Sequence, residues 1–260
     1  MTRVRRFWPL LTGTHRYDKS LSTRDCGHGT LIEAPILAYL IETVNGCILY
    51  DVGCDYEKIA DAAKCSQYFE NETFPFGPRH MTEEQRLTHR FAALGLQSVD
   101  VDLVFIDHLH FDHGGGLRDM AHAEIHVHVD EWHAARAGAD EAYFADDFAG
   151  DYRWRLIGRE YDLVPGVRAI ESPGHTAGHM SLYVELLKGA PIVITGDAAD
   201  LTENLEQEIA PGLCWCNGEN LALASIPKLK NLARETSAEL SPNHNMAFYR
   251  GCLSFPVHYE

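Results

Sequence analysis

Four ionisable side chains fall within six positions in His108-Leu109-His110-Phe111-Asp112-His113, directly after an apolar run and before Gly114-Gly115-Gly116. On an extended backbone, residues two apart point to one side, so His108 and His110 can serve one metal ion. Asp112 and His113 are adjacent and diverge, which suits two different metals. The three glycines are expected to let the chain turn. A purely structural role would bury four polar groups together at a strand end, which is costly without partners.

Three more candidates lie in similar places. His175 follows Ser172-Pro173-Gly174, Asp197 follows Thr195-Gly196, and His244 follows Pro242-Asn243. Each stands just beyond an apolar stretch. Alone, any of them reads as a cap or a satisfied polar residue. Beside the first cluster they read as further ligands, because two metals need more groups than it supplies. A carboxylate such as Asp197 has two oxygens and can bridge two cations.

The elements that must position these residues are short. Strands are expected at 34–42, 46–52, 101–106, 124–129, 167–171, 180–186, 191–195 and 238–240, with a turn at Asn45-Gly46. Helices are expected at 82–94, opened by a capping box of Thr82 and Gln85, at 130–137 and at 220–234. Residues 67–81, with Phe69, Phe74, Pro75, Phe76, Gly77 and Pro78, read as an irregular aromatic loop. Residues 139–155 are acidic and aromatic without periodicity.

The chain has 260 residues, 45% hydrophobic and 23% charged, which is globular composition. It reads as one domain spanning 1–260. A net charge of −16 disfavours nucleic acid and anionic membranes as partners. Met1 to Arg6 is basic, but the apolar stretch behind it is short and contains Pro9, so no export signal is expected. The chain therefore reads as cytoplasmic. Its seven cysteines show no framework spacing and are expected to be reduced thiols, Cys214 and Cys216 included.

With these residues in view, the sequence resembles the metallo-β-lactamase superfamily, and within it the N-acyl homoserine lactonases and related small-lactone hydrolases. The resemblance runs through Tyr50-Asp51-Val52-Gly53, the His108 to Gly116 motif, Ser172-Pro173-Gly174-His175-Thr176-Ala177-Gly178-His179, Thr195-Gly196-Asp197 and His244. It implies an α/β fold, the four-layer αββα sandwich. It implies that His108, His110 and His175 hold one divalent metal and that Asp112, His113 and His244 hold the other. Asp197 would bridge them, and Asp112 and Asp197 would be the catalytic carboxylates. Zinc is the expected metal, with iron, manganese or cobalt also compatible. The implied reaction is opening of a small lactone ring by a hydroxide held between the metals. Asp51 would orient a ligand histidine, and His179 would be packed or hydrogen-bonded rather than a ligand.

Other hydrolases of the fold fit less well. A secreted β-lactamase would need an export signal and usually a cysteine at the bridging position. A glyoxalase II-like thioesterase carries a helical extension after the last ligand, where only 245–260 remain here; it is the alternative, with other ester or amide hydrolases. A mononuclear iron sulfur dioxygenase stands behind these. A non-catalytic metal module would close its coordination sphere. The expected partner is a small lactone or related ester, with homodimerisation left open. Phe74, Phe76, Tyr143, Phe144, Phe148, Tyr152, Trp154 and Trp215 are expected to wall the substrate. His126, His128 and His133 form a weaker cluster, and His15 carries no pattern. One departure stands out: many acyl-homoserine lactonases carry a tyrosine three residues after the bridging aspartate, where this chain has Asp200. Common acyl-homoserine lactones are therefore expected to be poor substrates. Asp200 would otherwise serve as a cap for 201–208.

Overall fold

The computed structural model describes residues 4–70, 74, 76–77, 79–216 and 218–260. Pro75 and Pro78 of the expected aromatic loop lie outside the described residues. Two sheets face one another. The first holds β1 (Val4–Asp18), β2 (Leu31–Thr43), β3 (Gly46–Tyr50), β4 (Arg79–His80), β5 (Val101–Phe105), β6 (Glu124–His128) and β7 (Arg153–Ile157), in the order β4-β1-β2-β3-β5-β6-β7. The second holds β8 (Tyr161–Val164), β9 (Val167–Glu171), β10 (Met180–Val184), β11 (Ile192–Ile194) and β12 (Glu239–Ser241), in the order β12-β11-β10-β9-β8. The helices are α1 (Tyr56–Ala60), α2 (Ala62–Phe69), α3 (Leu87–Ala93), α4 (Phe111–Gly114), α5 (Val129–Ala137), α6 (Thr202–Gln207), α7 (Glu219–Thr236) and α8 (Met246–Gly251).

Alternation in the strands builds the layers. In β2, Leu37, Tyr39 and Ile41 meet Tyr50, Phe105, Met180 and Leu182 between the sheets. Their neighbours Ala38 and Leu40 face the other way, joining Leu87 and Phe91 of α3 and Ala135 of α5. A strand buried on both faces reads as a continuous apolar run, as 34–41 does. On the far side, Val193 packs on Leu229 and Ala233 of α7. The result is helices, sheet, sheet, helices: the αββα sandwich.

The expected strands and the helix at 220–234 are present, with ends shifted by up to three residues. The differences have local causes. β1 contains Pro9 and Gly13 and shifts register against β2 between Leu11 and Gly13, so it shows no clean period. It tolerates proline because β4 pairs only with Thr14 and His15, leaving the rest near an edge. β7 and β8 lie at the rims; β7 exposes most of its residues, and β8 has none fully buried. The segment 67–81 starts helical, since α2 runs to Phe69. The capping box at Thr82 is present, with Gln85 Oε1 accepting from Thr82 N–H at 2.8 Å, but a short 3₁₀ turn separates it from α3. The glycines after His113 are not used for unusual dihedrals. Gly115 has φ −65° and ψ −33°. They provide room: a Cβ on Gly116 would stand 2.3 Å from Val52 O, and one on Gly115 would stand 2.7 Å from Asp55 N.

Candidate metal centre

The strand ends meet at one edge of the sandwich. β5 delivers Asp107 to His113, β9 leads to His175, β11 to Asp197, β12 to His244, and β3 to Asp51. Two clamps fix the motif. Val52 N–H donates to His113 O at 2.9 Å, and Gly116 N–H to Gly53 O at 3.0 Å. Buried Glu131 of α5 accepts from Leu109 N–H at 2.9 Å and from Tyr143 OH at 2.8 Å, and its other oxygen lies 3.3 Å from Gly178 N.

All seven expected ligands are brought together and buried. His108, His110 and His175 place ligand atoms within 4.8 Å of one another. Asp197 stands between two sets. Its Oδ2 lies 3.8 Å from His108 Nε2 and 3.4 Å from His175 Nε2, while Oδ1 lies 3.4 Å from His113 Nε2 and 3.1 Å from His244 Nε2. Asp112 Oδ2 faces the second set, 3.8 Å from His113 Nε2 and 3.7 Å from His244 Nε2.

Each of the five histidines has one nitrogen occupied by an acceptor and the other turned inward. His108 Nδ1 donates to Asp107 Oδ1 at 2.8 Å and His113 Nδ1 to Asp51 Oδ2 at 2.9 Å. His175 Nδ1 donates to Leu213 O at 2.9 Å and His244 Nδ1 to Pro35 O at 2.8 Å. His110 is reversed: Nε2 donates to Asp140 Oδ2 at 3.1 Å, leaving Nδ1 3.1 Å from His175 Nε2. The Nε2 atoms of His108 and His113 are buried without a hydrogen-bond partner among the described residues. Imidazoles fixed in this way present lone pairs, the arrangement of metal-ligating histidines.

The charge balance agrees. Asp51, Asp107, Asp112, Asp197 and Asp200 are all buried here. Burial alone would raise Asp107, yet His113 and His108 beside it pull its carboxyl well below the usual range. Asp51 moves up, through burial and the nearby charge of Asp107. His175 is pushed down to about 3 by burial, against the attraction of Asp197. His244 resists burial because of Asp197 and rises to about 10. A cluster this rich in buried carboxylates and lone pairs fits divalent cations.

The sequence reading missed three residues here. Asp107 and Asp140 hold histidines of the expected ligand set. Asp107 had a local signal, since it directly precedes the motif. His15 of β1 had none; it enters from another strand, with Nε2 3.9 Å from Asp112 Oδ2. Other expectations are corrected. Among the expected walls, Phe76 and Trp215 line a cavity of about 270 Å³ beside His110 and His175, with Leu213 and Cys214. Phe74, Tyr143, Phe144 and Phe148 are core, and Tyr152 and Trp154 pack against it. His126 is committed to Glu124 at 2.7 Å and to Tyr161. His179 is hydrogen-bonded as expected, accepting from Asp197 N–H at 2.8 Å. Asp200 is no cap, because α6 begins without a side-chain cap bond and Asp200 Oδ1 is buried without a partner among the described residues.

The family profile described as the metallo-beta-lactamase superfamily matches residues 32–244, and the chain belongs to that superfamily as a metal-dependent hydrolase. An N-acyl homoserine lactonase from Bacillus sp is 32% identical over 97% of this chain and 98% of its own. One from Bacillus cereus is 30% identical over the same shares. A solved N-acyl homoserine lactone hydrolase, with the product N-hexanoyl-L-homoserine at its catalytic metal centre, superposes with a TM-score of 0.88 at 29% identity, covering 99% of this chain and 100% of that one.

Proposed function

We propose that the protein hydrolyses the ring ester of a small lactone at a centre of two divalent cations. The observation that carries this reading is Asp197 set between two groups of inward-facing imidazole nitrogens. In it, His108, His110 and His175 hold one cation, Asp112, His113 and His244 the other, and Asp197 serves both. Zinc is the first choice for imidazole and carboxylate ligands. Two such cations activate water as a nucleophile and neutralise the charge that develops on ester oxygens.

The chain's own residues do the rest. Asp107, Asp51 and Asp140 fix the imidazole tautomers, so that lone pairs need no reorganisation. Phe76, Leu213 and Trp215 offer an apolar wall, and the cavity beside them has room for an acyl chain. Asp112 and Asp197 keep negative charge where cations must stay. Support for the substrate class comes from relatives named N-acyl homoserine lactonases and from a second neighbour holding N-decanoyl-L-homoserine. Such an acid is what remains when the lactone ring opens.

The reading places the enzyme in the cytoplasm as a single domain over 1–260, acting on a small molecule without nucleic acid or membrane. No helix among the described residues is long and apolar enough to cross a membrane. Proton release by the metal-loaded protein, measured over lactones, thioesters and phosphodiesters, tests the proposal. Lactone opening is expected. Activity confined to phosphodiesters or thioesters would overturn it.

A further inference from the structure

His15 lies in β1, far in sequence from every ligand in the proposed centre, yet its ring is buried among them. Neither ring nitrogen has a hydrogen-bond partner among the described residues. A neutral imidazole carries one donor and one acceptor, and burying both without partners is expensive. The ring is held by aromatic packing: its centroid is 4.7 Å from Tyr17, 5.9 Å from Phe76 and 6.5 Å from Phe111. That packing aims Nε2 at Asp112, 3.9 Å from Oδ2, and sets the ring 5.2 Å from that of His244. His15, Asp112 and His244 present ligand atoms within 4.8 Å of one another.

We infer that His15 is an additional protein ligand of the metal held by Asp112, His113 and His244. The inference rests on the dinuclear reading above. It makes the two positions unequal. One is served by His108, His110, His175 and Asp197; the other by Asp112, His113, His244, Asp197 and His15. A position with five protein groups is no longer the four-coordinate arrangement zinc usually adopts, and it favours an ion at ease with five or six ligands, such as manganese, iron or cobalt. Because no acceptor ties its second nitrogen, His15 is the most adjustable of these ligands.

Full-length protein stripped by chelation and titrated with Co²⁺ tests this. The unmodified protein should take up two equivalents. With ¹⁵N-labelled histidine, six imidazoles should show hyperfine-shifted ring nitrogens: His108, His110, His113, His175, His244 and His15. In His15→Gln, one equivalent should bind about tenfold or more weakly. Its visible absorption should intensify as coordination number falls. His15→Phe, which keeps the aromatic packing, should behave alike. Five shifted imidazoles in the unmodified protein, or variants with unchanged affinity and spectrum, would overturn the assignment of His15 alone. Failure of the unmodified protein to bind two equivalents would instead bring down the dinuclear reading beneath it.

Discussion

Asp107 Oδ1 accepts from His108 Nδ1 at 2.8 Å, and the same oxygen lies 3.0 Å from His113 Nδ1. Two adjacent residues thus lock a ring that must face away from the backbone, and one carboxylate steadies a histidine in each proposed ligand set. Asp107 is itself held ionised by those imidazoles and accepts from Tyr50 OH at 3.1 Å through its other oxygen. Asp107→Asn keeps the shape and removes the charge. Metal affinity should drop by about 10–100-fold, the usual effect of losing such a partner. Competition with a chelator of known affinity measures it, and an unchanged affinity would show that Asp107 only packs.

Asp197 and His244 separate bridging from one-sided ligation. Asp197 oxygens face imidazoles of both sets, whereas the carboxylates that His244 Nε2 faces, Asp197 and Asp112, both serve the second set. Asp197→Asn should therefore lower the occupancy of both positions, and His244→Ala mainly one. Elemental analysis after dialysis gives the stoichiometry. Loss of one equivalent in each variant would contradict the bridging role.

Metal removal should also reach the fold. Five carboxyl groups buried beside seven histidines leave negative charge that is stable there only when positive charge compensates it. Ligands that bind only the folded state raise its stability by mass action. Chelation should abolish hydrolysis and lower the melting temperature. Equal melting temperatures with and without metal would mean that histidine protonation alone balances the site.

The site was legible where chemistry is dense and local. Six positions from His108 to His113 carry four of the seven side chains that meet at the centre, and each later one follows a strand and a glycine or proline turn. The alternating strands of the inner sheets were legible for the same reason, since burial on both faces leaves an apolar run. What sequence could not show depended on contacts across the fold. β1 lost its period to Pro9, Gly13 and a register shift, and with it went His15. Asp140 holds His110 from thirty positions away, on the aperiodic segment that follows α5. The aromatic walls were misjudged because a buried aromatic on a loop reads the same whether it faces core or cavity; Phe144 took the first place and Trp215 the second.

The glycines of the motif make a stability prediction. Gly116 lies with its backbone against Val52, where a Cβ would stand 2.3 Å from the carbonyl oxygen. That contact is backbone and cannot rotate aside. Gly116→Ala should cost about 1–3 kcal/mol, as overpacking usually does, and should loosen the clamp that holds Asp51 near His113. Urea unfolding of the metal-free protein isolates the first effect. A midpoint equal to that of the unmodified protein would mean the strand end yields freely.

Asp200 stands where many acyl-homoserine lactonases carry a tyrosine, and its surroundings decide what it can do there. It lines the pocket with His15, Tyr17, Asp112, Asp197 and His244. Burial, and then the charge of Asp197, push its carboxyl well above the usual range, with His244 and Ser22 opposing. An acid with a raised pKa is protonated below that value and ionised above it. While it holds its proton, Asp200 can donate a hydrogen bond to a developing oxyanion, as a phenol does. Ionised, it would repel that charge. Activity should accordingly fall as pH rises through the raised value. Asp200→Asn, neutral at every pH and still a donor, should keep most of the turnover and lose that alkaline fall. Asp200→Leu, which cannot donate, should lower kcat by about 10²–10³, the usual effect of losing such a donor. Asp200→Tyr should raise turnover of common acyl-homoserine lactones above that of the unmodified protein. Rates across pH for the three variants and the parent check this. An alkaline limb unchanged in Asp200→Asn would assign that limb to another group and leave Asp200 a packing residue.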